Sequence, residues 1–269
     1  AKVVGPRLLH STQWGIICPC ETPDGGSIGL HKHLAITTHI TSGLSRYPMI
    51  DFIRNELGKH TEIKFIEYCS FSEMMKTKLF INGVLYGIIK SPIDFIELFK
   101  TYRRNGRIPL YASCNWDIVL NEIQIFVDGG RPTRPLYYIY NNEISYEKKD
   151  LNKEWKYIVS GTSEEIKKIN TTDYKVFNDN GKININNVMK KSSILEYIDT
   201  AEAEGCLISN NKDGIHNRTT HVEIHPSLIL GVMGNMIVFP EHNQAPRDLY
   251  SCGQSKQGIS LYHANFQNR

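Results

Sequence analysis

Lys78-Leu79-Phe80-Ile81-Asn82-Gly83-Val84-Leu85-Tyr86 sets two β-prone runs on either side of Asn-Gly, the pair that supplies positive φ at both centres of a two-residue hairpin turn. A hairpin is expected there. Directly after it, Ser91-Pro92 offers an N-cap residue and a proline for the first turn of a helix. Phe95, Leu98, Phe99 and Tyr102 then recur at i, i+3, i+4 and i+7, one buried stripe, and Asn105-Gly106 supplies the stop. Arg103, Arg104 and Arg107 lie around the last turn, where cations complement the helix dipole, so local stabilisation is their expected role. Farther on, Ile123, Ile125 and Val127 alternate before Asp128-Gly129-Gly130, and Pro135 to Tyr140 reads as a returning strand. A second hairpin is expected. Together these signals give an α+β chain with mixed sheets and hairpins and no Rossmann or TIM-barrel architecture.

The 269 residues, 41% of them apolar, are enough for one large domain or two to three small ones. Composition shifts divide the chain into 1–47, 48–142, 143–211 and 212–269. The third segment mixes lysines with acids, which reads as a solvated face. It holds a further Asn-Gly turn at Asn180-Gly181, and Glu196 to Asp199 with Glu202 and Glu204 form an acidic patch. A formal charge of +3 permits nucleic-acid contact without arguing for it. No apolar run approaches the roughly 18 residues of a membrane span, so no membrane partner is expected. Among six cysteines only Cys18 and Cys20 are close. They lack a second pair at zinc-finger spacing, so reduced thiols in an intracellular protein are expected. The start, AKVVGPRLLH, has neither a signal-peptide layout nor an initiator Met, as in a piece of a longer chain.

The densest chemistry runs from His221 to Gln257. His221, Glu223 and His225 stand at i, i+2 and i+4, which an extended strand would place on one face. Two imidazoles and a carboxylate in that array could ligate a metal. The rival expectation is that the histidines make buried hydrogen bonds and Glu223 pairs with a cation. Leu228 to Phe239 is apolar and broken by Gly231 and Gly234, and it is expected to continue the strand and core. Glu241 to Arg247 is a polar loop that fixes an Arg beside Asn243 and Gln244, a set suited to phosphate oxygens. If the chain turns helical after it, Arg247 and Gln254 share a face, Gln257 lies about a quarter turn away and Lys256 points elsewhere.

His10-Ser11-Thr12-Gln13-Trp14-Gly15, Cys18-Pro19-Cys20-Glu21-Thr22-Pro23-Asp24-Gly25 and Gly29-Leu30 resemble a block of the second-largest, β-like subunit of multisubunit DNA-directed RNA polymerases. The resemblance continues in order through Arg103 to Gly106, Asp128 to Arg131, Arg134 to Leu136, Glu196 to Asp199, Glu223 to Ser227, and His242 to Arg247 with Lys256-Gln257. It covers nearly the whole chain and is nearer the eukaryotic and viral branch than the bacterial one. It implies an internal fragment comprising the end of the fork region, two external domains and the start of the hybrid-binding region. Arg247, with Gln244 beside it, would face the phosphates of the incoming nucleotide, and Lys256 and Gln257 the RNA–DNA hybrid. Lys2 and Arg7 would lie near the downstream duplex. The resemblance further implies Mg²⁺ held by the largest subunit, so this chain has no catalytic or metal-ligating residue of its own. Its partners would be the other polymerase subunits, DNA template, hybrid and nucleoside triphosphates, in the nucleus or, for a virus, in the virion or a cytoplasmic factory. Two departures stand out: Gln254-Ser255 where the family has Met-Gly, and Cys20 where it has a small or apolar residue. The alternative is a free-standing metal- or nucleotide-binding module built on His221, Glu223 and His225.

Overall fold

A computed structural model describes residues 3–140, 142–146, 154–160 and 193–267. The chain forms two compact units, one made of Ala1–His39 with Ile224–Arg269 and the other of Ile40–Glu223. Short strand β1, His39–Ile40, marks the passage from the first to the second.

The larger unit holds a five-stranded sheet in the order β2-β4-β3-β6-β5, formed by Ile63–Phe65 (β2), Thr77–Ile81 (β3), Val84–Ile89 (β4), Ser113–Asp117 (β5) and Glu122–Phe126 (β6). The Asn82-Gly83 hairpin joins β3 to β4, with φ of 47° and 78° at its two centres, the left-handed values that Asn-Gly tolerates. Thr77, Leu79 and Ile81 alternate into the core with Ile123 and Ile125 of β6, which runs parallel to β3. Helix α1, Arg46–Phe52, continues through a π turn at Ile53–Leu57. Helix α2, Pro92–Arg104, packs the predicted stripe of Phe95, Leu98, Phe99 and Tyr102 into the same core. Pro92 occupies its first turn as expected, but Ser91 makes no side-chain cap bond.

The second expected hairpin does not exist. Strand β7, Pro132–Tyr140, leaves the five-stranded sheet and becomes the hub of another. It pairs antiparallel with β8 (Glu143–Ile144), β9 (Leu195–Asp199) and β11 (His221–Val222), and β10 (Ile208–Ser209) lies parallel to β11. The backbone of Thr41 to Leu44 occupies the space such a hairpin would need. Leu44 N donates to Val127 O, Thr41 N to Arg131 O, and Gly130 N to Thr41 O. Gly129 is required at this crossing, since a β-carbon there would stand 2.7 Å from Gly43 N. Two other tight turns carry positive φ at Asn121, between β5 and β6, and at Asn142, between β7 and β8. The Asn180-Gly181 turn lies outside the described residues.

Within the third segment, three carboxylates of the acidic patch are not solvated, while Glu204 is exposed. Glu196, Asp199 and Glu202 are buried, the last in helix α4, Thr200–Glu204, which follows helix α3, Trp155–Ser160, in chain order. Arg103, 2% exposed, donates through Nη1 and Nη2 to both oxygens of Glu202 at 2.7 Å, to Ala112 O at 2.7 Å, and to Glu196. Arg104 also reaches Glu196, at 2.8 Å, while its guanidinium lies 4.0 Å from the Tyr138 ring centroid. Arg131 pairs with Asp199 at 2.7 Å, and Arg134 with Glu223. Dipole complementation therefore understates the role of Arg103, which joins α2 to β9 and α4. A buried ionic cluster of this kind holds only because nearly every lone pair and proton finds a partner.

Candidate functional site

His221, Glu223 and His225 do not form a ligand face. The strand is only two residues long. His221 is buried and its Nε2 meets Glu196 Oε2 at 3.2 Å, while Glu223 is buried against Arg134. Burial alone would lower the His221 pKa. The Cys206 sulfur and the Glu196 carboxylate prevail and hold it up at about 9. Burial would likewise raise Glu196, but Arg104 and Arg103 drive its pKa well below the usual carboxylate range. Only His225 departs from the buried expectation. It is exposed and caps a short turn, accepting from Ser227 N at 3.2 Å. Leu228 to Phe239 is neither strand nor core. It winds through 3-10 turns at Pro226–Ile229 and Gly234–Met236, with Val232, Met236, Val238 and Phe239 exposed.

The smaller unit brings the remaining candidates together. Its Pro- and Gly-rich segment is held as an ordered loop. Asp24 caps Gly25 N at 2.7 Å, the Thr22 hydroxyl donates to His31 O at 2.9 Å, and Gly29 N donates back to Thr22. Arg7 is a staple within this loop. It donates to Gly26 O at 2.8 Å, Ile28 O at 2.9 Å and Val3 O at 3.1 Å, so most of its hydrogen-bonding fork is already used. Lys2 lies outside the described residues.

Helix α5, Ala245–Gln267, begins three residues earlier than Asp248. Phe239 enters the preceding turn at φ 46°, and Asn243 Nδ2 donates to Phe239 O at 3.2 Å. Gln244 ends up at the helix start and Arg247 in its first turn, both exposed. Among the described residues Arg247 makes no ion pair. A first-turn position adds backbone N–H groups and the positive end of the helix dipole to the guanidinium charge, which suits an anion.

From about half a turn to almost three turns farther along, α5 forms one wall of a cleft of about 730 Å³. Gln254, Lys256 and Gln257 line it, facing Asp24, His31, Lys32 and His33 from the loop. Arg247 is not part of this wall. Lys256 is the structural pivot: its Nζ lies 3.0 Å from the buried Glu21 carboxylate and 2.9 Å from His33 Nε2, while His33 Nδ1 faces Glu21 at 3.6 Å. With Lys256 as donor, His33 Nε2 accepts, which leaves Nδ1–H directed at the carboxylate. Gly231 makes room for this group, because a β-carbon there would meet Glu21 Oε2 at 2.4 Å. Helical spacing did not reveal Glu21 and His33 as the groups that orient Lys256. Chemically, the cleft offers lysines, imidazoles and amides to a polyanion. Among the described residues no group of three or more His, Cys, Asp or Glu side chains is arranged to hold a metal ion.

Two family models match the chain: RNA polymerase Rpb2, domain 3, over residues 1–40, and RNA polymerase Rpb2, domain 4, over residues 79–140. The DNA-directed RNA polymerase II subunit RPB2 of Encephalitozoon cuniculi is 34% identical over 276 residues, covering 98% of this chain and 22% of that protein. The DNA-directed RNA polymerase II subunit 2 of Arabidopsis thaliana is 31% identical over 289 residues, covering 100% and 21%. Subunit Rpo2 of the Sulfolobus acidocaldarius enzyme is 31% identical over 274 residues, covering 98% and 22%. The class these matches define is the multisubunit RNA polymerase component. The chain belongs to the second-largest-subunit family of those enzymes. It spans about a fifth of the length of these curated relatives.

Proposed function

We propose that this chain serves DNA-directed RNA synthesis as part of a second-largest polymerase subunit, with its smaller unit meeting the incoming nucleotide and the RNA–DNA hybrid. The observation that carries the reading is the division of labour along α5. Arg247 and Gln244 stand exposed at the helix start, while Lys256 and Gln257 line a cleft whose other wall supplies Lys32, His31 and His33. A guanidinium at a helix N-terminus suits a triphosphate, and a lysine-lined cleft suits a nucleic-acid backbone. Lys256 is already held by Glu21, so it acts as an oriented charge rather than a free one. Arg7, and Lys2 five residues before it, are the candidates for the downstream duplex, Arg7 with part of its fork already engaged by backbone carbonyls. The chemistry implied is attack of an RNA 3′ hydroxyl on the α-phosphorus of a nucleoside triphosphate, with the bond to pyrophosphate breaking, for which Mg²⁺ would supply charge neutralisation. The buried carboxylates of Glu21, Glu196, Asp199, Glu202 and Glu223 are taken up by Arg103, Arg104, Arg131, Arg134 and Lys256 and do not fit that ion; by the family resemblance the largest subunit would hold it, and this chain would contribute positioning. The partners are the other polymerase subunits, the DNA template, the hybrid and the nucleotides, inside the cell and in a eukaryote within the nucleus.

Replacing Arg247 tests the reading in the assembled enzyme. Arg247→Ala removes one charge-assisted contact of about 1.5–3 kcal/mol, so the apparent KM for all four nucleotides is expected to rise about 10-fold or more. Unchanged nucleotide kinetics would overturn the role given to Arg247.

A further inference from the structure

Cys18 and Cys20 are the chemistry that the polymerase reading leaves unused. Their sulfurs lie 3.7 Å apart across Pro19, near enough that a modest backbone adjustment reaches the roughly 2.05 Å of an S–S bond. All six cysteines are free thiols, yet only these two are placed as a neighbouring pair within two residues. Cys18 is buried and Cys20 is partly open to solvent. Both rest against Gly234, where a β-carbon would stand 3.3 Å from the Cys20 sulfur and 3.4 Å from that of Cys18.

We propose that Cys18 and Cys20 form a peroxide-sensitive dithiol, oxidised by a small hydroperoxide to an intramolecular disulfide and restored by a thiol reductant. The electrostatics favour Cys18 as the attacking sulfur. The Cys20 thiol and the backbone N–H groups of Gly231, Cys20 and Glu21 stabilise its thiolate against burial and bring its pKa down to about 6, while hydrogen bonding to Cys18 and burial push Cys20 upward, leaving it the protonated partner. The thiolate attacks one peroxide oxygen and the O–O bond breaks. The leaving oxygen departs as hydroxide or alkoxide and takes a proton from water. Cys18 is now a sulfenic acid, its sulfur oxidised by two electrons and the peroxide reduced by two. Cys20 then attacks that sulfur; the S–O bond breaks, and the departing hydroxide leaves as water with the Cys20 proton. Two thiols and one hydroperoxide thus become one disulfide, one water and one alcohol, or a second water when the oxidant is hydrogen peroxide. Glu21, the next residue, holds Lys256, so the oxidised loop would move the cleft charge. That consequence rests on the nucleic-acid reading, whereas the disulfide itself does not.

The test is peptide mass spectrometry on the full-length subunit in its complex, treated with hydrogen peroxide and then alkylated with iodoacetamide. The peptide carrying both cysteines is expected to lose two hydrogens and both alkylation sites, and to regain them after dithiothreitol. In Cys20→Ser, dimedone should trap a sulfenic acid at Cys18, and no two-hydrogen loss should occur. Unaltered alkylation of Cys18 and Cys20 in the wild type after peroxide would overturn the proposal, as would a disulfide that joins Cys18 to Cys252 instead. A wild-type disulfide with unchanged nucleic-acid affinity would leave the dithiol standing and refute only its link to Lys256.

Discussion

Removing the charge of Arg103 while keeping its bulk is the sharpest probe of the larger unit. Arg103→Met preserves most of the apolar stem and deletes four donor contacts, two to Glu202, one to Glu196 and one to Ala112 O. The two carboxylates differ in what they keep. Glu196 retains Arg104 and His221, whereas Glu202, 2% exposed, retains among the described residues only Lys100, at 3.6 Å. A carboxylate stranded in that way places the loss in the range of about 3–5 kcal/mol measured when one partner of a buried ion pair is removed. The uncharged Glu202→Gln change in the Arg103→Met background should recover part of it, with a coupling of about 1 kcal/mol or more. Urea denaturation followed by the fluorescence of Trp116, in β5 of the same unit, reads all four corners of the cycle. A single-variant loss below about 1 kcal/mol, or strict additivity in the double variant, would refute the account of Arg103 as the structural link between α2 and α4.

The cluster also sets a pH signature. His221 titrates at about 9 against an ordinary 6.5, so its contribution, about 3 kcal/mol in total, is complete below pH 6.5 and lost as pH rises through 9. The depressed Glu196 acts in the opposite sense: its contribution is complete above the ordinary 4.5 and lost as pH falls through its lowered value. Denaturation midpoints of the wild type should therefore fall between pH 6.5 and 9, and His221→Gln should flatten that limb; a wild type already flat there refutes the assignment. Two glycines separate strain from crowding. Gly83→Ala meets no neighbour but must adopt φ +78°, for about 1–2 kcal/mol, whereas Gly87→Ala drives a β-carbon to 2.5 Å from Lys64 O and should lose about 1–3 kcal/mol with local distortion. Equal losses with undistorted β2–β4 pairing by NMR would show the crowding term to be wrong. Lys256→Met leaves buried Glu21 facing, among the described residues, only His33, for about 1–3 kcal/mol; amide exchange along α5 should quicken in this variant and stay unchanged in Arg247→Ala.

What the sequence made legible was local. Asn82-Gly83 and the stripe from Phe95 to Tyr102 carry their own geometry, so both elements stand where periodicity and turn chemistry put them. Strand pairing is decided by residues far away, and for that reason β7 could not be seen to leave β6: the competing backbone comes from Thr41 to Leu44. The burial of Arg103 depends on Glu196 and Glu202, 93 and 99 residues on. One signal was present, since Arg103 follows Phe99 by four positions and so falls on the buried face of α2. At the candidate site the polar loop and Arg247 stood out by residue type. The cleft did not, because Lys256 meets its partners His33 and Glu21 from more than two hundred residues away.

The antiparallel pairing of β7 with β9, from Thr133↔Asp199 to Tyr137↔Leu195, has a consequence for the chain between them. That ladder, reinforced where Tyr138 OH donates to Ser193 O, fixes both ends of the intervening segment close together. The described parts of that segment are themselves tied in: β8 pairs with β7, and Ile158 O accepts from Ile194 N at 2.8 Å. An affinity tag or fluorescent reporter inserted between Glu143 and Ser160 would therefore cost these contacts.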